Sequence, residues 1–241
     1  MPMPSSTATA NATQPSTHVR SMTALRIALA LLASGALSPA VAQTGAAACG
    51  DPFRNHFGPF DYRTAPAETR KLVEDYHFTP GIESMTRPKN TMFQDMAQDV
   101  SYTLGVFPNH PRALLVMTRL AERWKSDPPP GAKITVECWF DRAVRFRPDD
   151  TVVRSLYAQY LGKRKRTQDA TRQLELAAEA AKDNPLSHHN IGLVYLELGQ
   201  QDAARQQALR ARSLGFTGTQ LTDQLRRAGK WSDTDDTPAR Q

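Results

Sequence analysis

Two sets of histidine and acidic residues are the candidates for chemistry in this sequence of 241 residues. His188 and His189 are adjacent, so on a helix their side chains point about 100° apart and cannot both face one metal ion. Asp61, His77 and His110 could converge as an acid–base group, but their spacing does not require it. The sequence contains no phosphate-binding glycine loop, G-x-S-x-G elbow, H-E-x-x-H helix or C-x-x-C pair. We therefore expect no catalytic residue, no metal site and no cofactor.

The two cysteines, Cys49 and Cys138, have two possible roles. An isolated pair in an oxidising compartment favours a disulfide bond, and a closed loop of about 90 residues would add about 4–5 kcal/mol of stability. Alternatively, the segment "AAACG" before and after Cys49 vaguely resembles a lipidation signal, although Ala46 stands where leucine is usual. The disulfide is the prediction, and lipidation of Cys49 remains its alternative.

Residues 1–42 have the features of a leader with a cleaved signal peptide. An apolar run follows Arg26, and Ala40-Val41-Ala42 forms an A-x-A cleavage site. The run is shorter than the roughly 20 apolar residues that a membrane span needs. Translation could begin at Met1 or at Met22. We expect cleavage after Ala42 and a periplasmic or secreted protein.

The charge balance is mildly basic. The whole chain carries a formal charge of +6, and removal of residues 1–42, which hold two arginines and no acid, leaves +4. This excess is too small to indicate a nucleic-acid partner. It favours anionic partners over cationic ones.

Small residues recur with a period of 34 in the second half of the chain. Ala158, Ala170 and Ala177 are followed 34 positions later by Gly192, Ala204 and Ala211. A glycine inside a helix costs about 1 kcal/mol relative to alanine, so Gly192 is explained best by a close approach of another helix. The pattern predicts antiparallel helix pairs whose small side chains lie at the contacts.

The period and its small residues resemble the tetratricopeptide repeat (TPR) family. The resemblance implies an all-α fold: a TPR solenoid of about three helix-turn-helix repeats with an irregular N-terminal cap. The implied boundaries are a leader over 1–42, a cap region over 43–107 with a helix at 91–106, and a solenoid over 108–231. Within it we expect repeats at about 109–148, 149–182 and 183–216, then a closing helix at 217–231. Residues 232–241 are expected to be a disordered tail.

Two further expectations concern particular stretches of the solenoid. Asp149-Asp150 is read as a helix cap. The prolines and glycine of "SDPPPGAK" (126–133) lengthen the turn of the first repeat.

The resemblance also implies a concave groove lined by the first helix of each repeat. The family's groove positions, transferred to this sequence, give a basic first repeat, a polar second repeat and a more apolar third repeat. The predicted partner-binding residues are Arg112, Arg119, Arg123, Gln159, Lys163, His189, Asn190 and Glu197, with Leu115, Glu122, Ser155, Gly162, Leu193 and Leu196 at neighbouring groove positions. The expected function is a protein-interaction scaffold or adaptor that binds a protein or peptide with an acidic segment. The sequence leaves the oligomeric state open.

Two alternatives stay open at the level of sequence. "GKRKR" (162–166) could contact anionic lipid headgroups, and a lipidated Cys49 would reinforce such contact, as in a membrane-associated envelope-assembly accessory. The aromatic, glycine- and proline-rich block "CGDPFRNHFGPFDYR" (49–63) could instead carry an enzyme or metal site. The commoner reading of these segments is a solvated turn and a packed irregular loop.

Overall fold

The computed structural model describes residues 49–86 and 93–236. The predicted leader and signal peptide over 1–42 therefore lie outside the described residues, as do residues 237–241 of the predicted tail. All regular elements in the described part of the chain are helical, which confirms the all-α prediction there. The α-helices are α1 Ala67–His77, α2 Pro80–Glu83, α3 Phe93–Val106, α4 Pro111–Trp124, α5 Val136–Phe146, α6 Thr151–Lys163, α7 Thr167–Ala181, α8 Pro185–Glu197, α9 Gln201–Ser213 and α10 Gln220–Arg227.

The starts of α4, α6 and α8 are set by side-chain caps. The Nδ1 atom of His110 accepts from the Ala113 amide, the Asp150 carboxylate accepts from Val152 and Val153, and the Asn184 amide oxygen accepts from Ser187. Each cap satisfies backbone N–H groups that have no partner inside the helix. Asp150 thus has the predicted capping role, whereas its neighbour Asp149 instead pairs with Arg147 and Arg63.

The helices pack mainly as sequential pairs. Helix α6 packs along α7 and α8 along α9, while α4 contacts α6 and α6 contacts α8. One hydrophobic core runs from Phe78 to Trp231 through these helices. A second, smaller cluster of Ala65, Val73, Val106 and Phe107 lies under the N-terminal loop.

Small residues lie at the helix contacts, as the sequence predicts. A Cβ atom added at Gly192 would meet Leu221 of α10, the Gln207 Cβ at 3.2 Å and the Ala204 carbonyl oxygen at 3.3 Å. The aligned alanines are all buried, each 0–1% exposed: Ala158, Ala170, Ala177, Ala204 and Ala211. Close packing therefore requires small side chains at these positions.

The C-terminal boundaries differ from the expectation. The closing helix is α10, which is shorter than the predicted 217–231, and Trp231 is buried beyond its end. Residues 233–236 then form a 3₁₀ helix, although the sequence predicts disorder from Ser232. The reason is an anchor that composition does not reveal: Arg205 of α9 binds the Asp235 carboxylate, which also accepts from the Ser232 amide.

Candidate functional site

Two cavities open side by side where α4, α6 and α8 meet. The first has a volume of about 550 Å³ and the second about 250 Å³, and both are lined by Leu156, Gln159 and Glu197. They therefore form one continuous surface, which we call the groove. It is the candidate site because several predicted partner-binding residues line it.

The first cavity combines an apolar floor with polar side chains at its edge. Leu115 and Leu156 contribute apolar surface, and Lys163 and Glu197 contribute charge. Its remaining lining residues are Thr118, Phe140, Gln159, Tyr160, Gly162, Thr167 and Leu198. Such a mixture suits an apolar side chain of a ligand together with a few hydrogen bonds that orient it.

Gly162 and Leu198 are in close contact at this cavity. A Cβ atom at position 162 would overlap the Leu198 side chain, which reaches the cavity from the turn after α8. Leu198 was not among the predicted groove residues, because it follows the helix instead of lying on its inner face. The absence of a side chain at Gly162 is the one feature of the sequence that points to it.

The second cavity combines an apolar wall with several small polar side chains. Asn190 and Ser155 line it, and the hydroxyl groups of Thr151 and Ser187 lie 3.3 Å apart in its wall. Leu193, Val194 and Val152 add apolar surface. An exposed amide such as that of Asn190 can both donate to and accept from a peptide backbone.

The charged side chains of the groove both have partners within the chain. Gln159 donates from Nε2 to Glu197 at 2.7 Å, and Lys163 donates to Glu122 at 3.3 Å. The Lys163 and Glu122 side chains are 65% and 44% exposed, so this ion pair contributes little to stability. The predicted groove residues Gln159, Lys163 and Glu197 are thus brought together.

The three predicted arginines are not in the groove itself. Arg119 and Arg123 are exposed on α4 but line neither cavity. Arg112 is directed to α1 and α2, where its guanidinium binds Glu74 at 2.7 Å and Glu83 at 2.9 Å. Arg112 therefore lines neither cavity, because residues 29 and 38 positions away hold its side chain elsewhere.

The placement of His189 also differs from the prediction. Its side chain was expected on the open face, but it is only 6% exposed, and its ring lies 4.4 Å from that of Phe216. Burial lowers the pKa of His189. Phe216, which follows a positive-φ glycine at position 215, covers the histidine. His188 is also buried and binds Gln207 and the Lys182 carbonyl.

The basic turn is mostly neutralised by contacts within the chain. Lys163 pairs with Glu122, and Arg166 pairs with Glu137 at 2.5 Å and with Asp169 at 2.7 Å. Arg164 lies 3.6 Å above the Tyr160 ring and 3.8 Å from the Asp127 carboxylate. These contacts join the turn to neighbouring helices. Fewer of its positive charges are therefore available to bind a membrane surface.

The candidate acid–base residues bind separate partners. Asp61 binds Arg63 and Asn109, His77 binds Asp99, and His110 binds Glu74. Burial raises the pKa of Asp61, but the hydrogen bonds from Arg63 and Asn109 outweigh it and hold that pKa well below its usual range. These contacts are structural ones.

His110 belongs to a polar cluster that spacing alone does not reveal. Glu74 accepts from the Tyr62 hydroxyl at 2.8 Å and lies 3.2 Å from His110 Nε2. His110 is fully buried, and this burial, with the nearby Arg112 charge, lowers its pKa to about 4. The imidazole is therefore neutral at pH 7, donating from Nε2 to Glu74 and accepting at Nδ1 from Ala113.

The structure brings the two cysteines together. The sulfur atoms of Cys49 and Cys138 lie 2.04 Å apart, at disulfide-bonding distance. A sulfur atom in a disulfide cannot also carry a lipid, so this geometry disfavours lipidation of Cys49. Arg142 and Arg145 also attach the segment after Cys49 to α5, because they donate to the carbonyl oxygens of Asp51 and Gly50.

In residues 49–86 and 93–236, no three His, Cys, Asp or Glu side chains are grouped as metal ligands. Over the same part of the chain, no helix has the length and apolarity needed to cross a membrane.

Comparison with known proteins identifies no relative. No protein-family model, curated protein or solved structure matches this chain.

Proposed function

We propose that this chain is an exported TPR protein that binds an extended segment of a partner protein in its groove. The observation that carries the proposal is the continuous groove across α4, α6 and α8, lined by Gln159, Asn190 and Glu197. These side chains were assigned to a groove from the resemblance to the TPR family, before the cavities were known. A helical-repeat surface of this kind is suited to protein binding, and no catalytic role is proposed.

The repeat assignment is supported by packing that recurs with the period. The small residues of 149–182 and 183–216 are buried at equivalent contacts. Helices α4, α6, α8 and α10 contact one another in succession, as first helices of a solenoid do. Export is supported by the leader pattern of residues 1–42 and by the cysteine pair at bonding distance.

The groove suggests what the partner segment contributes. Asn190 and the Gln159–Glu197 pair offer hydrogen-bonding groups for a peptide backbone. Leu115 and Leu156 offer a site for an apolar side chain. Arg119, which is exposed beside the groove and has no hydrogen bond or ion pair to another described residue, would favour an acidic residue at that end of the segment.

Selection of peptides from a displayed random library tests the proposal. Peptides that bind the wild type should lose about tenfold or more in affinity to a Gln159→Ala/Asn190→Ala variant, because two hydrogen-bonding groups are removed. Gln206→Ala, which removes an exposed glutamine of α9, is the matched control. Equal binding to both variants would exclude the groove as the binding site.

A further inference from the structure

A separate cavity lies beside the disulfide, away from the two cavities that form the groove. It has a volume of about 750 Å³ and lies between the loop after Cys49, helix α3, the loop before α5, and α5 itself. We call it the disulfide cavity. Its lining residues are Cys49, Gly50, Asn55, Gln98, Ser101, Tyr102, Gly105, Gly131, Lys133, Ile134, Trp139 and Arg142.

Two residues of its wall each carry a buried N–H group that has no hydrogen-bond partner among the described residues. The two groups are Nε1 of Trp139, a residue 7% exposed, and Nε of Arg142. Buried donors in proteins nearly always have an acceptor, because an unpaired one loses its hydration without compensation. Two such donors in neighbouring turns of α5 therefore indicate a site for a hydrogen-bond acceptor that a ligand supplies.

The charge of the cavity wall points to an anion. Lys133 and Arg142 line it, and no aspartate or glutamate is among its described lining residues. Arg142 is held in place by its Nη1 bonds to the carbonyl oxygens of Cys49 at 3.3 Å and Asp51 at 2.9 Å. Asp51 and Asp141 lie close enough to act on the Arg142 charge, but Asp141 is paired with Arg145. The cavity thus presents a guanidinium group fixed by hydrogen bonds and the ammonium group of an exposed lysine.

The remaining wall suits a planar or apolar body. Tyr102 and Trp139 contribute aromatic surface and Ile134 an aliphatic side chain. Gly105 lets Asn55 approach α3 closely, since a Cβ atom there would lie 3.2 Å from Asn55 Nδ2. Aromatic walls with a few convergent polar groups are typical of small-molecule sites.

We propose that the disulfide cavity binds a small organic anion. Its carboxylate accepts from Trp139 and Arg142 and is attracted by Lys133, while its planar body lies against Tyr102 and Ile134. Both donor nitrogens are covered in the unbound protein, so binding shifts the cavity wall slightly. The site is independent of the groove, because the two share no lining residue.

Titration with 2-naphthoate, followed by NMR of the tryptophan indole N–H groups, tests this proposal. The chain has three tryptophans, and the Trp139→Phe variant identifies the Trp139 signal. We expect 2-naphthoate to move that signal saturably, with one site per chain. The uncharged 2-naphthylmethanol, which has the same aromatic body, should leave it unmoved.

Variants separate a built anion site from nonspecific binding. Lys133→Met should weaken 2-naphthoate binding about tenfold, the size of one charge-assisted contact. Trp139→Phe lacks the indole signal, so its binding is measured by calorimetry and should also be weaker. Lys165→Met, which removes an exposed lysine outside the cavity, is the matched control and should change nothing. The proposal is overturned if the alcohol binds as tightly as the acid, if Lys133→Met binds like the wild type, or if 2-naphthoate leaves the Trp139 signal unmoved.

Discussion

The two halves of the described chain are held together by different kinds of contact. In 149–216, small residues at a constant spacing lie between paired helices, and the contacts recur. In 49–148, the key contacts join residues with no common spacing, such as Asn109 to Asp61, Arg112 to Glu74 and Arg142 to Asp51, which are 48, 38 and 91 positions apart. Both regions share the hydrophobic core. The helix contacts of 149–216, the periodic half, recur with the period, whereas the polar and covalent contacts of 49–148, the N-terminal half, each form once.

This difference predicts which half responds to which perturbation. A change of side-chain volume should affect the periodic half most, because it has little free space at the helix contacts. Reduction or a change of pH should affect the N-terminal half most, because a disulfide and a buried histidine cap hold it.

The largest effect is expected from breaking the disulfide. A Cys49→Ser/Cys138→Ser variant should lose about 4 kcal/mol of unfolding free energy, because the unfolded chain regains the freedom of a loop closed over 89 positions. Amide hydrogen exchange should rise in residues 49–65 more than in α8 and α9. An equal rise in amide hydrogen exchange across both halves would contradict this difference between them.

The next largest effect is expected from overpacking the periodic half. Ala204→Leu should lower the unfolding free energy by roughly 1–3 kcal/mol, because Ala204 is fully buried against the helix of Gly192. Its neighbour Ala203 is only partly buried, so Ala203→Leu is the matched control and should cost much less. Urea denaturation of both variants measures the difference, and equal losses would show that the repeat register is wrong.

A smaller effect is expected from acid acting on His110. Its folded-state pKa lies below its unfolded value, so the stability it contributes is present above about pH 6.5 and is lost as the pH falls toward 4. Protonation places a hydrogen on Nδ1, where the Ala113 amide now donates, so the cap is broken. Between about pH 7.5 and pH 5.5 the wild type should lose about 1 kcal/mol through this residue.

His110→Asn isolates that contribution. Asparagine can still cap α4 but does not titrate, so the pH dependence of its unfolding free energy should be smaller than that of the wild type. Asp61 does not interfere, because its lowered pKa places its contribution below about pH 4. Identical pH profiles for the two proteins would assign the acid sensitivity to other groups, such as His189.

The smallest effect is expected from the exposed arginines beside the groove. Arg119→Glu/Arg123→Glu should leave the unfolding free energy within about 0.5 kcal/mol of the wild type, because both side chains are exposed. It should weaken binding of acidic peptides a few-fold at low salt, and this difference should disappear as salt screens the charges. Arg172→Glu/Arg227→Glu makes the same change in net charge elsewhere on the chain and should have no effect.

The sequence by itself determined the elements of the periodic half. The helix pairs of 149–216 and the burial of Gly192 and Ala204 follow from spacing. The groove positions of Gln159, Asn190 and Glu197 were expected from the resemblance to the TPR family. A repeated pattern carries this information because each contact is local and occurs again one period later. The pairing of Cys49 with Cys138 followed from their number, since two cysteines allow only one intramolecular bridge.

Only the tertiary structure decided where the polar and charged side chains go. Arg112 turned to Glu74 and Glu83, His189 was covered by Phe216, and Asp235 was anchored by Arg205. Each of these pairs forms once, between residues whose distance in the chain has no fixed value. Which charged groups come together depends on the path of the whole backbone, so spacing along one helix cannot predict the pairs.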